Sequence, residues 1–158
     1  RSLLSGNSPY DQYIKNNNTN AMTDAQIRGM NLFFSDRTNC STCHSGFNFT
    51  NYAFENNGLY IQYADIGRMR LTLKEEDMAL FKVPGLRNIE MTGPYMHDGS
   101  IQTLQQVIDH YQSGGMDHPH KNPILKPLDL TTPEQKDLIE FLKALTDDTF
   151  LTNPIFKY

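Results

Sequence analysis

The sequence predicts an all-α domain with a long irregular middle, and three observations carry that prediction. Apolar residues recur at helical spacing in three segments that have their own start signals. No stretch is rich in strand patterning, and residues 45–100 hold no sustained period. In the first segment Thr23-Asp24-Ala25-Gln26 has the form of a capping box, after which Ile27, Met30, Phe33 and Phe34 share a face. From Thr103 to Tyr111, Leu104, Val107, Ile108 and Tyr111 fall at i, i+3, i+4 and i+7, and Gly114-Gly115 ends the run. The third helix is expected to be capped by Thr132, with Pro133 at its first position and Gln135 closing the box. It should run to about Leu145 through Leu138, Ile139 and Leu142. A shorter helix follows Ser8-Pro9 through Tyr10 and Tyr13.

A chain of 158 residues suffices for one domain with a real core and is short for two. Its net charge of -4 and lack of a basic stripe give no reason to expect nucleic acid. No apolar run approaches the roughly 18 residues of a membrane span. Arg1-Ser2-Leu3-Leu4-Ser5 has no apolar signal-peptide core, which suits a processed or truncated chain as well as a cytoplasmic one.

The only two cysteines sit in one pentapeptide, Cys40-Ser41-Thr42-Cys43-His44, so a disulfide framework is excluded. A Cys-x-x-Cys pair can be a thioredoxin-type redox motif, half a zinc site or a haem attachment site; the histidine that follows selects the last. Two thiols at fixed separation can add to the two vinyl groups of a porphyrin, and the adjacent imidazole can bind its iron. Zinc would need two more ligands, and His118 and His120 are too close together for the usual half-site. A thioredoxin reading would need a βαβ context. The fold class is thus an all-α, cytochrome c-like haem domain in which the long middle wraps the cofactor. Its aromatics, Phe47, Phe49, Tyr52, Phe54, Tyr60 and Tyr63, are free to pack on a porphyrin. One motif means one covalent haem c, and such attachment implies assembly outside the cytoplasm and a periplasmic protein.

The second axial ligand is less determined. Met96, Tyr111, Met116 and the histidines at 97, 110, 118 and 120 qualify by type. Spacing alone favours Met116, in a glycine-rich loop before the last helix, in line with Met/His ligation of cytochromes c. Tyr111 also completes an apolar helical stripe, and any one methionine can be core filler. Arg68, Arg70, Lys82 and Arg87 can pair with haem propionates or serve as solvated surface charges. His97 and Asp98 suit loop-fixing hydrogen bonds, His110 points off the Tyr111 face, and His118 and His120 read as surface residues.

Phe81-Lys82-Val83-Pro84-Gly85-Leu86-Arg87-Asn88, with Thr92-Gly93-Pro94-Tyr95-Met96-His97-Asp98-Gly99-Ser100 and Leu104, resembles the bacterial di-haem cytochrome c peroxidases and their MauG-like relatives. Ser5-Gly6-Asn7-Ser8-Pro9-Tyr10-Asp11 and Asn122-Pro123 through Leu128 extend the resemblance over nearly the whole chain, but only to the C-terminal haem domain of that family. It implies residues 1–20 as an interdomain linker with a short helix, 21–150 as the haem domain and 151–158 as a tail. It further implies a six-coordinate electron-transfer haem, with peroxide reduced at a second haem in an N-terminal domain absent here, together with the family's bridging tryptophan; the chain has no Trp. By position the resemblance moves the distal ligand to Tyr111, with Met116 and then Met96 as alternatives. It also implies a calcium ion held by the backbone carbonyls of Thr92 and Pro94 and an asparagine of the other domain.

Three functions follow as expectations. The chain is the relay domain of a di-haem peroxidase fed by a small cytochrome c or cupredoxin, in a protein that can be a homodimer. Otherwise it is a self-contained mono-haem electron carrier, or half of a MauG-like oxidase acting on a protein substrate. A second Cys-x-x-Cys-His upstream separates the carrier from the other two.

Overall fold

The structure is a computed structural model and describes residues 5–156. The N-terminal stretch read for a leader, residues 1–4, and the last two residues of the expected tail lie outside the described part. In chain order the helices are α1 (Pro9–Lys15), α2 (Asp24–Phe33), α3 (Cys40–Cys43), α4 (Met69–Thr72), α5 (Leu104–Ser113), α6 (Thr132–Lys143) and α7 (Asp148–Leu151). Single 3-10 turns at Glu75–Asp77, Ile89–Met91 and Pro154–Phe156 add to a largely helical chain. One two-stranded antiparallel ribbon, β1 (Phe54–Glu55) with β2 (Phe81–Lys82), joins the two ends of the middle segment.

Capping chemistry sets the helix starts. Ser8 and Asp11, Thr23 and Gln26, and Thr103 and Gln106 each exchange side-chain and backbone hydrogen bonds across a full capping box. The left-handed backbone of Gly114 (φ 80°) stops α5. For α6 the box is Thr131 with Glu134, one residue before the expected Thr132 and Gln135. Both pairs fit the pattern and leave Glu134 in the first turn, but the earlier one puts its carboxylate at the third position, where it accepts from the Thr131 amide at 2.8 Å and hydroxyl at 2.9 Å. That shift ends α6 at Lys143, so Leu145 lies beyond the helix, yet it remains fully buried.

The main core joins Phe33 of α2, Leu104 and Ile108 of α5, and Leu138, Phe141 and Leu142 of α6 to Met22, Phe49, Leu86, Leu130 and Leu145. Helices α2 and α6 make the most extensive contact between elements. Gly29 allows it, since a Cβ there would fall 1.9 Å from the Asp137 carbonyl oxygen and 2.9 Å from the Phe141 Cβ. Arg28 clamps the same crossing through a bidentate pair to the Asp137 carboxylate at 2.7 and 2.8 Å.

Helix α1 docks on this core through Tyr10, which meets Phe49 and Phe141 edge-on at centroid distances of 5.2 and 5.7 Å. It is fastened by Asp11, 2% exposed, which accepts both Arg87 guanidinium hydrogens at 2.7 and 3.0 Å. Burial works against the Asp11 anion, but hydrogen bonds from Arg87 and Ser8 outweigh it and hold the carboxyl at about 2.

The middle segment forms a second cluster around Leu59, Tyr63 and Ala79, with Phe81 and Met96 against it. Fully buried Asn56 organises it: its amide donates to the Ala79 carbonyl at 3.0 Å, and its oxygen accepts from the Gly58 amide at 2.8 Å. The loop aromatics are largely spent on protein contacts. Phe49 is in the main core, Tyr63 in the second cluster, and Phe47 lies under Arg87 at 4.0 Å. His118 and His120 are also not free surface residues. Asn56 donates to His118 Nδ1 at 3.3 Å, and His120 Nδ1 donates to the Met78 carbonyl at 3.0 Å.

Gly29→Ala should lower stability by about 2–3 kcal/mol through overpacking at the crossing. Urea unfolding would show an earlier midpoint, and an unchanged midpoint would mean the helices have slack there. Asp11→Asn should cost about 3 kcal/mol at neutral pH by leaving Arg87 buried and unpaired. Because the Asp11 pKa is depressed on folding, its contribution is present above about pH 4 and is lost as pH falls toward 2. The two proteins should therefore converge in stability over that window. A gap that stays constant to pH 2 would show that the ion pair does not stabilise the fold.

Candidate haem site

Helix α3 is a single turn made of the Cys-x-x-Cys segment itself. Asn39 enters it in the left-handed region (φ 53°), and the His44 amide closes it on the Cys40 carbonyl at 2.9 Å. Both cysteines are free thiols. Burial pushes both thiols up, that of Cys40 deep against the main core and that of Cys43 also under the influence of Glu55.

The His44 ring nitrogen Nδ1 lies 3.0 Å from the Phe49 carbonyl oxygen. A carbonyl only accepts, so Nδ1 carries the proton and Nε2 keeps its lone pair for a metal. Burial pushes the imidazole down, toward its neutral form, while the Phe49 and Pro84 carbonyls pull the other way. The turn that brings the Phe49 carbonyl to the ring has Gly46 (φ 67°) and Phe49 (φ 53°) in the left-handed region.

Tyr111 comes from the last turn of α5, on the stripe that buries Leu104 and Ile108. The residue keeps part of its surface, but its phenol lies deep, near enough to Cys40 and Cys43 to feel both thiols. Burial raises the phenol pKa, and a hydrogen bond from the Asn57 side chain opposes that. Asn57 also donates to the Met96 sulfur at 3.2 Å, and its backbone carbonyl accepts from His110 Nε2 at 3.0 Å. His110 is thereby turned away from the thiols, as helical geometry requires of a residue next to Tyr111.

The other candidates lie elsewhere. Met116 is 51% exposed, its main chain pinned to the Gly58 carbonyl by a 2.6 Å hydrogen bond. Thr92 and Pro94 lie on an exposed turn. Among the described residues no three His, Cys, Asp or Glu side chains gather as a metal cluster. Arg87 is committed to Asp11, Arg68 to Asp77 at 3.3 Å and Arg70 to Asp65 at 3.1 Å, while Lys82 lies over Tyr52. Asp98 fixes its loop by accepting from Tyr60 at 2.7 Å, and His97 stacks on Phe81 at 3.8 Å. Sequence reasoning missed Asn57, for which Asn56-Asn57-Gly58 gives only a turn signal.

These residues fit a covalently held haem. Two unbridged thiols stand one helical turn apart, beside a neutral imidazole whose tautomer is set for iron. A phenol lies buried where both thiols and the Asn57 side chain influence it.

No family model matches the chain. The methylamine utilization protein MauG of Methylorubrum extorquens is 36% identical over 147 residues, covering 92% of this chain and 41% of MauG. The cytochrome c551 peroxidase of Nitrosomonas europaea is 31% identical over 150 residues, covering 92% of this chain and 41% of the peroxidase. The solved structure of a MauG-like protein associated with microbial copper homeostasis matches with a TM-score of 0.87 at 34% identity, covering 96% of this chain and 51% of that one. The chain spans less than half the length of these two curated relatives. It belongs to the family of MauG and the bacterial cytochrome c peroxidases.

Proposed function

We propose that this chain is the electron-transfer haem c domain of a di-haem enzyme of that family, relaying electrons to a peroxidatic haem on an N-terminal domain. The observation that carries the reading is the buried Tyr111 phenol beside the two thiols. Cys40 and Cys43 would hold the haem through thioethers, and His44 Nε2 and Tyr111 Oη are the side-chain atoms that would be offered to its iron. Bound haem c supplies a one-electron ferric/ferrous couple.

The protein's own groups determine what that couple is used for. With two side chains to occupy the iron, peroxide would find no open position, which suits a relay and not a peroxide-reducing centre. To bind iron, Tyr111 would give up its Oη proton to water and act as phenolate. Burial resists that loss, while the hydrogen bond from Asn57 favours the anion. An anionic oxygen stabilises ferric iron and keeps the potential low, whereas a methionine sulfur would raise it. The exposure of Met116 argues against it as the ligand.

The remaining assignments rest on chemistry. Covalent haem attachment places the protein in the periplasm, and no helix among the described residues is long and apolar enough to cross a membrane. A small cytochrome c or cupredoxin suits the donor role, in keeping with a relative named for cytochrome c551. The exposed Thr92 and Pro94 carbonyls are assigned to calcium shared with an asparagine of the other domain. A tyrosine at the distal position favours, as a second reading, half of a MauG-like oxidase acting on a protein substrate.

Denaturing mass spectrometry should find one haem bound to this domain, lost in Cys40→Ala/Cys43→Ala. Tyr111→Phe should remove phenolate-to-iron absorption from the ferric protein, and Tyr111→Met should raise the reduction potential. Met116→Ala should leave both unchanged. A sulfur-to-iron charge-transfer band that vanishes in Met116→Ala would overturn the tyrosine assignment.

A further inference from the structure

Asn57 holds two of the three candidate distal ligands at once. Its Oδ1 accepts from the Leu59 amide at 3.2 Å, which fixes the amide's orientation because a backbone N–H can only donate. The NH2 group therefore faces the other way, with two hydrogens to give. One goes to the Met96 sulfur at 3.2 Å, and the Asn57 side chain lies close enough to the Tyr111 phenol to favour its anion. The Asn57 main chain is itself held, since its carbonyl accepts from His110 Nε2, next to Tyr111 on α5.

Met96 packs on the second cluster and has a left-handed backbone (φ 71°), uncommon for a side chain of its kind. Its neighbours lock that geometry, His97 on Phe81 and Asp98 on Tyr60. A thioether lone pair engaged by an N–H is less available to a metal. The same fork leaves the phenol oxygen supported as an acceptor.

We infer that Asn57 is the positioning residue that makes Tyr111, and not Met96, the distal ligand of this haem: its amide presents the phenol oxygen and holds the sulfur back. This rests on the assignment of Tyr111 to the iron. It adds that the choice between an oxygen and a sulfur ligand is made by a third residue that does not touch the metal.

The test uses the haem-loaded full-length protein, read by near-infrared absorption and electron paramagnetic resonance of the ferric state and by the reduction potential. Asn57→Leu removes the fork. Asn57→Asp, nearly isosteric, keeps the acceptor for Leu59 and removes both donors, and so serves if the leucine disturbs the turn. The expected result is loss of the phenolate signature, a new sulfur-to-iron band and a higher potential. All three should be reversed in part by Asn57→Gln, and the sulfur band should be absent from Asn57→Leu/Met96→Leu. An unchanged phenolate signature in both single variants overturns the inference. So does a phenolate loss whose spectrum is the same with and without Met96. If Tyr111→Phe itself leaves the parent spectrum unchanged, the underlying ligand assignment has failed, and that result is read independently of the Asn57 variants.

Discussion

A neutral imidazole offers a metal the nitrogen that lacks the proton, and this chain fixes which one that is through a backbone carbonyl. The Phe49 oxygen accepts from His44 Nδ1 at 3.0 Å, and the Phe49 ring is buried in the main core among Tyr10, Phe33 and Phe141. One residue thus couples the packing of the helices to the tautomer of the histidine. Its left-handed backbone costs about 1–2 kcal/mol. Burial of the ring, worth about 2–3 kcal/mol, offsets that cost. The Thr50 hydroxyl donates to the Val83 carbonyl at 2.7 Å and so draws Pro84 toward the same ring.

The distal side is built by different means. Tyr111 sits on the helical stripe that buries Leu104 and Ile108, so α5 is placed by the main core and carries the phenol with it. Its surroundings come from the second cluster, which is small and polar at its centre. Asn56 ties residues 56–58 to Ala79 and His118, and Asn57 carries the order on to Tyr111 and Met96. A hydrophobic core therefore fixes the surroundings of His44, and an amide network those of Tyr111. The second depends more on satisfied hydrogen bonds, each buried one being costly to leave unmade.

Much of this was legible in the sequence, for physical reasons. Capping boxes and apolar periods are local signals, and they located α1, α2, α5 and α6. The cap of α6 slipped by one because Thr131 and Thr132 both satisfy the pattern, and only the contacts of the Glu134 carboxylate with Thr131 and Arg37 separate them. Cys40, Cys43 and His44 could be proposed from the sequence because the chemistry they suggest depends on spacing alone, and the fold sets them on one turn. Long-range pairings were not. Arg87 looked like a propionate partner, but 76 positions away Asp11 already occupies it. Spacing favoured Met116, in a glycine-rich loop, as a ligand, but the Gly58 carbonyl fixes its main chain and the residue is half exposed. Asn57 gave no sign of its role, since the partners of an amide appear only once the loop is folded.

The central claim is that a histidine with a fixed tautomer and a buried tyrosine share one iron. Resonance Raman of the ferric, haem-loaded protein tests it most directly, with excitation into the ligand-to-metal band and ring-deuterated tyrosine for assignment. The account predicts enhanced phenolate ring modes that shift on deuteration and disappear with Tyr111. Their absence, beside a six-coordinate low-spin iron that keeps its spectrum without Tyr111, would contradict it.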